Sequence, residues 1–269
     1  MNTKILVVYH SNAPFSYDKF MDQYPDTFVP ILGGSKYYKQ GSDPVKDVIL
    51  HDNMGKNISH LTVQINEHTV FYWMYHHYQL LGNPDMVGLC HYRRCLDLDY
   101  NNLDKDKIYA LMVNAVHKDV KPVASTVYEL YSFFLTQPLL EVVLDEYRAQ
   151  FPSYEQDLRI VLESFKFFGK NLMVLRREKF FQYAEYIIKC YRFLYSNDLC
   201  DKIKEMFDPE TYPAYLYFGY RAKSYLCELF TAVWLNKQAR LFHNVIPSRL
   251  TEASFVDDKI QWDFVYILL

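Results

Sequence analysis

The chain has 269 residues, half of them hydrophobic and 23% charged, with a formal net charge of −3. That length buries a sizeable core, and the slightly acidic balance excludes a protein drawn to nucleic acid or anionic lipid by long-range charge. Five cysteines (Cys90, Cys95, Cys190, Cys200 and Cys227) with no C-x-x-C pair exclude a disulfide framework and a zinc ribbon, and read as reduced, buried thiols.

In chain order, KILVVYH at residues 4–10 is a β-branched run suited to a buried parallel strand. The apolar core of the N-terminal MNTKILVVYHSN is too short for a signal peptide or a bilayer span, so the expected location is cytoplasmic. FVPILGGS is a second short apolar segment, and DPVKDVILHDNMGKNIS reads as an extended segment followed by a polar loop. Ser59 then opens a helix expected to run through HLTVQINEHTVFYWMYHHYQLL and to stop at the turn GNPD. MVGLCHY is another central strand. TVYELYSFFL, PLLEVVLDEYRAQF and SYEQDLRIVLESFKFF read as helices, NLMVLRR as a short strand, and EKFFQYAEYIIKCYRFLYSN and AKSYLCELFTAVWLNKQARLF as long helices. Strand, loop, helix, turn and strand in succession make a crossover unit. The expected fold class is therefore α/β, a mixed, mostly parallel sheet flanked by helices. A single domain over residues 1–269 is expected, sheet-rich to about residue 125 and helix-rich from about 126.

In open α/β sheets ligands bind beyond the carboxyl ends of the strands. The polar residues at those ends are His10; Asp52, Asn53 and Asn57; and His91, Arg93 and Arg94. The last group opens the stretch HYRRCLDLDYNN, which admits several readings. It is not a kinase catalytic loop: Tyr92 interrupts the His-Arg pair, Arg94 stands where the aspartate belongs, and no glycine-rich loop or D-F-G accompanies it. Asp97 and Asp99, two residues apart, are a fallback pair for Mn²⁺ or Mg²⁺ against a diphosphate, or else part of a solvated acidic loop. Arg93 and Arg94 offer rigid donor forks matched to phosphate oxygens, or else bridge surface carboxylates. His76 and His77 are adjacent on a helix and cannot both face one metal.

HDNMGKNIS, then NEHTVFYWMYHH, then DMVGLCHYRR resemble, in order, the signature of a bacterial glycosyltransferase family found in capsular and exopolysaccharide biosynthesis clusters. GKNLMVLRREKFFQYAEYI and RAKSYLCELFTAVWL resemble its later segments. The resemblance implies a GT-A-like fold, with HYRR where that fold usually carries its metal-binding D-x-D. It implies transfer of a hexose from a nucleoside diphosphate sugar, a UDP-sugar foremost, to a surface polysaccharide or lipid-linked glycan acceptor. Peripheral association with the inner membrane face follows from such an acceptor. No cofactor is firmly implied, and no nucleic-acid partner is expected. On this reading His10, Asp52 and Asn53 contact the nucleoside, and Asn57 and Glu67 order the loop and helix around it. His91, Arg93 and Arg94 hold the diphosphate, Asn171 lies against the donor sugar, and Arg221 and Glu228 close the site. Glu67, Asp157 and Glu228 are the candidate acid–base residues. Two other readings stay open: an inactive nucleotide-sugar-binding scaffold, and a metal-dependent phosphohydrolase using Asp97 and Asp99.

Overall fold

The computed structural model describes residues 1–9, 23–35, 50–92, 94–115, 125–207 and 221–250. A seven-stranded sheet runs in the order β3-β2-β1-β4-β6-β5-β7. Its strands are β1 (Thr3–Tyr9), β2 (Phe28–Leu32), β3 (Leu50–His51), β4 (Met86–His91), β5 (Ile108–Asn114), β6 (Lys166–Arg176) and β7 (Val245–Ser248). β1 pairs in parallel with β2 and with β4, and β2 in parallel with β3, so these four strands end at one edge. β6 runs antiparallel to β4, with Met173 opposite Leu89 and Arg176 opposite Met86. β5 and β7 are parallel. The expected mixed, mostly parallel α/β sheet is thus present.

β1 and β4 sit centrally because they are apolar on both faces; Leu6, Val7, Val8, Met86 and Val87 have no exposed surface. Gly88 lets β6 come close. A Cβ there would fall 2.6 Å from the Met173 carbonyl oxygen, nearer than a Cβ can stand without something shifting.

The helix expected after Ser59 is broken. A 3₁₀ turn (Ser59–Leu61) and a short helix α1 (Thr62–Ile65) precede α2 (His68–His77), which ends in a second 3₁₀ turn (Tyr78–Leu81). The break is Asn66, whose φ of 50° belongs to the left-handed region that asparagine tolerates better than most residues. Gly82, at φ 77°, then closes the second turn at the expected GNPD.

The remaining helices are α3 (Val127–Leu135), α4 (Gln137–Gln150), α5 (Glu155–Glu163), α6 (Arg177–Leu194), α7 (Asn197–Met206) and α8 (Lys223–Phe242). α3 opens on a capping box between Thr126 and Glu129, and α4 carries Pro138 in its first turn. The helix expected over SYEQDLRIVLESFKFF stops at Glu163. Ser164 is extended, and Lys166 onward joins β6, so the expected short strand is eleven residues long.

The chain divides into two compact units. The first comprises Met1–Leu111 and Lys170–Ala184 with the strand β7; the second comprises Met112–Gly169 and Glu185–His243. The boundaries fall inside β5, β6 and α6. In the second unit Tyr147 stacks on Phe230 at 4.3 Å and its hydroxyl meets that of Tyr186 at 2.7 Å; Tyr186 in turn donates to the Phe230 carbonyl at 3.0 Å. These buried hydroxyls are partnered, which is what makes tyrosine tolerable in a core. No described helix is long and apolar enough to cross a membrane.

Candidate functional site

The carboxyl edge of β1–β4 carries two loops and one turn, all in the first unit. Asp52, directly after β3, has no exposed surface. Its Oδ2 accepts from the Gly34 N–H at 2.8 Å and the Thr69 hydroxyl at 2.6 Å. Its Oδ1 accepts from the Ser35 N–H at 2.9 Å and the Ser59 hydroxyl at 2.6 Å. One carboxylate thereby joins the loop after β2, the loop after β3, the 3₁₀ turn and α2. Its lone pairs are spent, so Asp52 is not available to a ligand; it fixes the loops around it.

Beyond Asp52 the loop is held by its carbonyls. Asn57 Nδ2 donates to Asn53 O at 2.8 Å and Gly55 O at 2.7 Å, and its Oδ1 accepts from the Ser59 N–H at 3.2 Å. Trp73 Nε1 donates to Met54 O at 3.1 Å, and the His77 ring lies 3.1 Å from Lys56 O. Four successive carbonyls are therefore engaged by side chains. Gly55 (φ 57°) is required here, since a Cβ would sit 2.5 Å from His77 Cε1. Asn57 holds the loop together through these bonds, and Asn53 is exposed at its start.

After β4, His91 and Arg94 exchange backbone hydrogen bonds of 3.0 and 2.8 Å and close a tight turn. Tyr92 donates its N–H to Val8 O at 3.1 Å and stacks on Tyr9 at 5.9 Å, tying the turn to β1. Arg94 is half-buried. Arg93, in the turn, and His10, beyond β1, lie outside the described residues.

His91 Nε2 stands 4.0 Å from Glu67 Oε1, with both side chains only partly exposed. Glu67 stands at the amino end of α2 without a side-chain capping bond, where the helix dipole favours its charge. Next to it, His68 is fully buried. Burial outweighs the nearby Glu67 charge and the Asn171 side chain, and lowers its pKa to about 4, so the ring is neutral. Asn171 is 6% exposed and sits on β6 at a kink where Lys170 (φ 62°) and Asn171 (φ 56°) are both left-handed. Its side chain is hydrogen-bonded to the His68 ring. The β4–β6 pairing itself runs from Met86 opposite Arg176 to Leu89 opposite Met173.

Glu67 thus meets His91, and both Glu67 and Asn171 meet a residue that motif reading passes over, His68. The signal was present in the NEHT stretch, but burial, which distinguishes His68 from His76 and His77, has no signature in one sequence.

The other candidates lie apart. Asp97 and Asp99 are exposed; Asp99 caps its own turn, accepting from the Asn101 N–H at 3.1 Å and Asn102 Nδ2 at 2.6 Å. Among the described residues no group of three or more His, Cys, Asp or Glu side chains is placed to hold a metal ion. In the second unit, Asp157 has no exposed surface. It accepts from Arg240 Nε at 2.9 Å and Nη2 at 2.8 Å, and from Asn236 Nδ2 at 3.0 Å. That bidentate pair joins α5 to α8 and removes Asp157 from the acid–base candidates. Arg221 is exposed at the start of the segment leading into α8. Glu228 lies on α8 facing Gly169, where a Cβ would stand 3.1 Å from its Oε1.

Residues 4–239 match the model of a family described as a domain of unknown function, DUF4422. The fold is similar to a solved structure titled WbbM bifunctional glycosyltransferase in its apo form, with a TM-score of 0.63 and 16% sequence identity. The alignment covers 93% of this chain and 45% of that one, so the chain spans less than half the length of that protein. No curated protein matches the chain.

Proposed function

The chain belongs to the DUF4422 family, and from that membership and the GT-A-like α/β fold we propose that it is a glycosyltransferase. It takes a hexose from a nucleoside diphosphate sugar, foremost a UDP-sugar, and passes it to a surface polysaccharide or lipid-linked glycan. The observation that carries this reading is the approach of Glu67 to His91 at the carboxyl edge of the parallel strands. Such edges are where open α/β sheets take their ligands.

The residues divide the work along the sheet. The Asn53–Asn57 loop, fixed by Asp52, takes the nucleoside together with His10. His91, Arg93 and Arg94 take the diphosphate. A departing diphosphate gathers negative charge, and guanidinium groups neutralise it with the directed, paired hydrogen bonds that a phosphate accepts. Asp97 and Asp99 are the site a divalent cation would use if one is needed. Asn171 lies on the sugar side. Glu67 is the base of choice for the acceptor hydroxyl, because it is the partly exposed carboxylate of this group and has His91 beside it. A lipid-linked acceptor would bring the protein to the inner membrane face.

Calorimetric titration with UDP, GDP, CMP and dTDP and their hexose conjugates tests the reading. Binding of one nucleotide and its conjugate, lost in His91→Ala, is expected. Binding of none of them would remove the proposal. Binding without transfer to any glycan would leave the scaffold reading in its place.

A further inference from the structure

We propose that Cys90 and Cys95 are an oxidation site: hydrogen peroxide converts the two thiols into a disulfide that locks the turn between them. The inference is independent of the transfer reaction.

The two side chains are already in contact. Both cysteines are free, and their thiols hydrogen-bond to each other. The backbone explains why. His91 and Arg94 exchange both N–H···O bonds, at 3.0 and 2.8 Å, which makes them a hydrogen-bonded pair of an antiparallel ladder. Residues just outside such a pair face one another without hydrogen bonds, their Cα atoms about 4.5 Å apart. A disulfide needs about 4.4–6.8 Å between Cα atoms, so it forms here without a large backbone movement.

Each cysteine is also held by its other neighbours. Cys90 lies in β4 opposite Val7 of β1. The Cys95 sulfur is 3.4 Å from the Tyr100 hydroxyl, which donates to Leu96 O at 3.0 Å, and Leu96 in turn bridges to Leu250. The fold therefore keeps the two sulfurs together.

One thiol attacks a peroxide oxygen and becomes a sulfenic acid, releasing the first water. The other attacks that sulfur; the S–S bond forms and the second water leaves. The sulfurs lose two electrons, the peroxide gains them, and the thiol protons depart in the waters. With 2% and 1% of their surfaces exposed, Cys90 and Cys95 meet peroxide only as the turn opens, so the first step is slow. The same burial directs the second step. A sulfenic acid formed in the interior has its partner thiol in contact, while a second peroxide must enter from outside. The disulfide is therefore the product, ahead of over-oxidation. A small thiol reductant reverses it.

For the test, the full chain is treated with hydrogen peroxide, quenched with catalase, alkylated in denaturant and mapped by mass spectrometry. The expected product links Cys90 to Cys95, and dithiothreitol restores both thiols. Cys190, Cys200 and Cys227, on α6, α7 and α8, are internal controls. Amide exchange at His91 and Arg94 should slow by roughly tenfold in the oxidised form, because the opening that exposes them must then occur inside a closed loop. Cys95→Ala should show neither the link nor the slowing, and Cys95→Ser, closer in size, should behave alike. Recovery of Cys90 and Cys95 as free thiols after the partly exposed Cys200 is oxidised would overturn the proposal. Separate sulfinic acids at the two positions, or a link to any other cysteine, would do the same. A Cys90–Cys95 link that leaves amide exchange unchanged would remove the lock. None of these readouts involves a nucleotide, so they stand or fall apart from the proposed function.

Discussion

Thr69, in the first turn of α2, donates its hydroxyl to the buried Asp52 carboxylate at 2.6 Å and so locks the helix to the loop after β3. The same carboxylate receives two backbone N–H groups and the Ser59 hydroxyl. Asp52→Asn turns one acceptor into a donor facing donors. It should cost about 2–3 kcal/mol of stability, read from chemical denaturation. Ligand affinity should fall with it, because the loop that positions Asn53 loses its anchor.

His68 makes stability depend on pH in a defined direction. Its pKa falls from an ordinary 6.5 to about 4 on burial, so between those values the unfolded chain binds the proton and the native chain does not. Stability is complete above pH ~6.5 and is lost as the pH falls toward ~4. Between pH 7 and pH 5 the loss from this group should be about 2 kcal/mol, and His68→Gln should flatten that part of the profile. A profile equally steep in the variant would assign the effect elsewhere.

Gly88→Ala places a methyl group 2.6 Å from the Met173 carbonyl oxygen, between two central strands. Neither backbone can yield cheaply. The expected cost is about 1–3 kcal/mol. Because His91 and Asn171 sit on these two strands just beyond the contact, affinity for a sugar nucleotide should drop as well. Amide hydrogen exchange over β4 and β6 would show the loosening directly.

Asp157 separates structural from chemical roles. Its carboxylate is spent on Arg240 and Asn236, so Asp157→Ala should lower the unfolding midpoint and leave turnover per folded molecule unchanged. Glu67→Gln should do the reverse, keeping the midpoint and abolishing turnover, since Glu67 is partly exposed and stands 4.0 Å from the His91 ring. A loss of turnover in Asp157→Ala at full folding would return that residue to the catalytic candidates.

The parallel strands were legible because burial on both faces leaves a continuous apolar run, as in Leu6–Val8 and Met86–Val87. The edge to search followed from chain direction alone and pointed to His91, while Glu67 and Asn171 entered only through the family resemblance. Three things were not legible. The Asn66 break sits inside an apolar periodicity that continues on either side of it, and only the pull of Asp52 on Ser59 and Thr69 marks it. Phe167 and Phe168 extend a helical pattern by composition, yet pair into a sheet whose partners are distant in sequence. The charges of Asp52 and Asp157 look like ligand groups in a string of letters, while in the fold every oxygen faces an internal donor. A polar residue's type shows what it can bind, and only burial shows whether it is free to do so.

The most direct test of the central claim is release of the nucleotide leaving group from a panel of UDP-, GDP-, CMP- and dTDP-sugars, with Mn²⁺ and with EDTA, in the natural protein and in Arg93→Ala, Arg94→Ala and Glu67→Gln. The account predicts slow release of UDP from one donor, accelerated by a glycan acceptor, persisting in EDTA and lost in Glu67→Gln and in at least one arginine variant. Release of inorganic phosphate that stops in EDTA, or no release from any donor with or without acceptor, would contradict it.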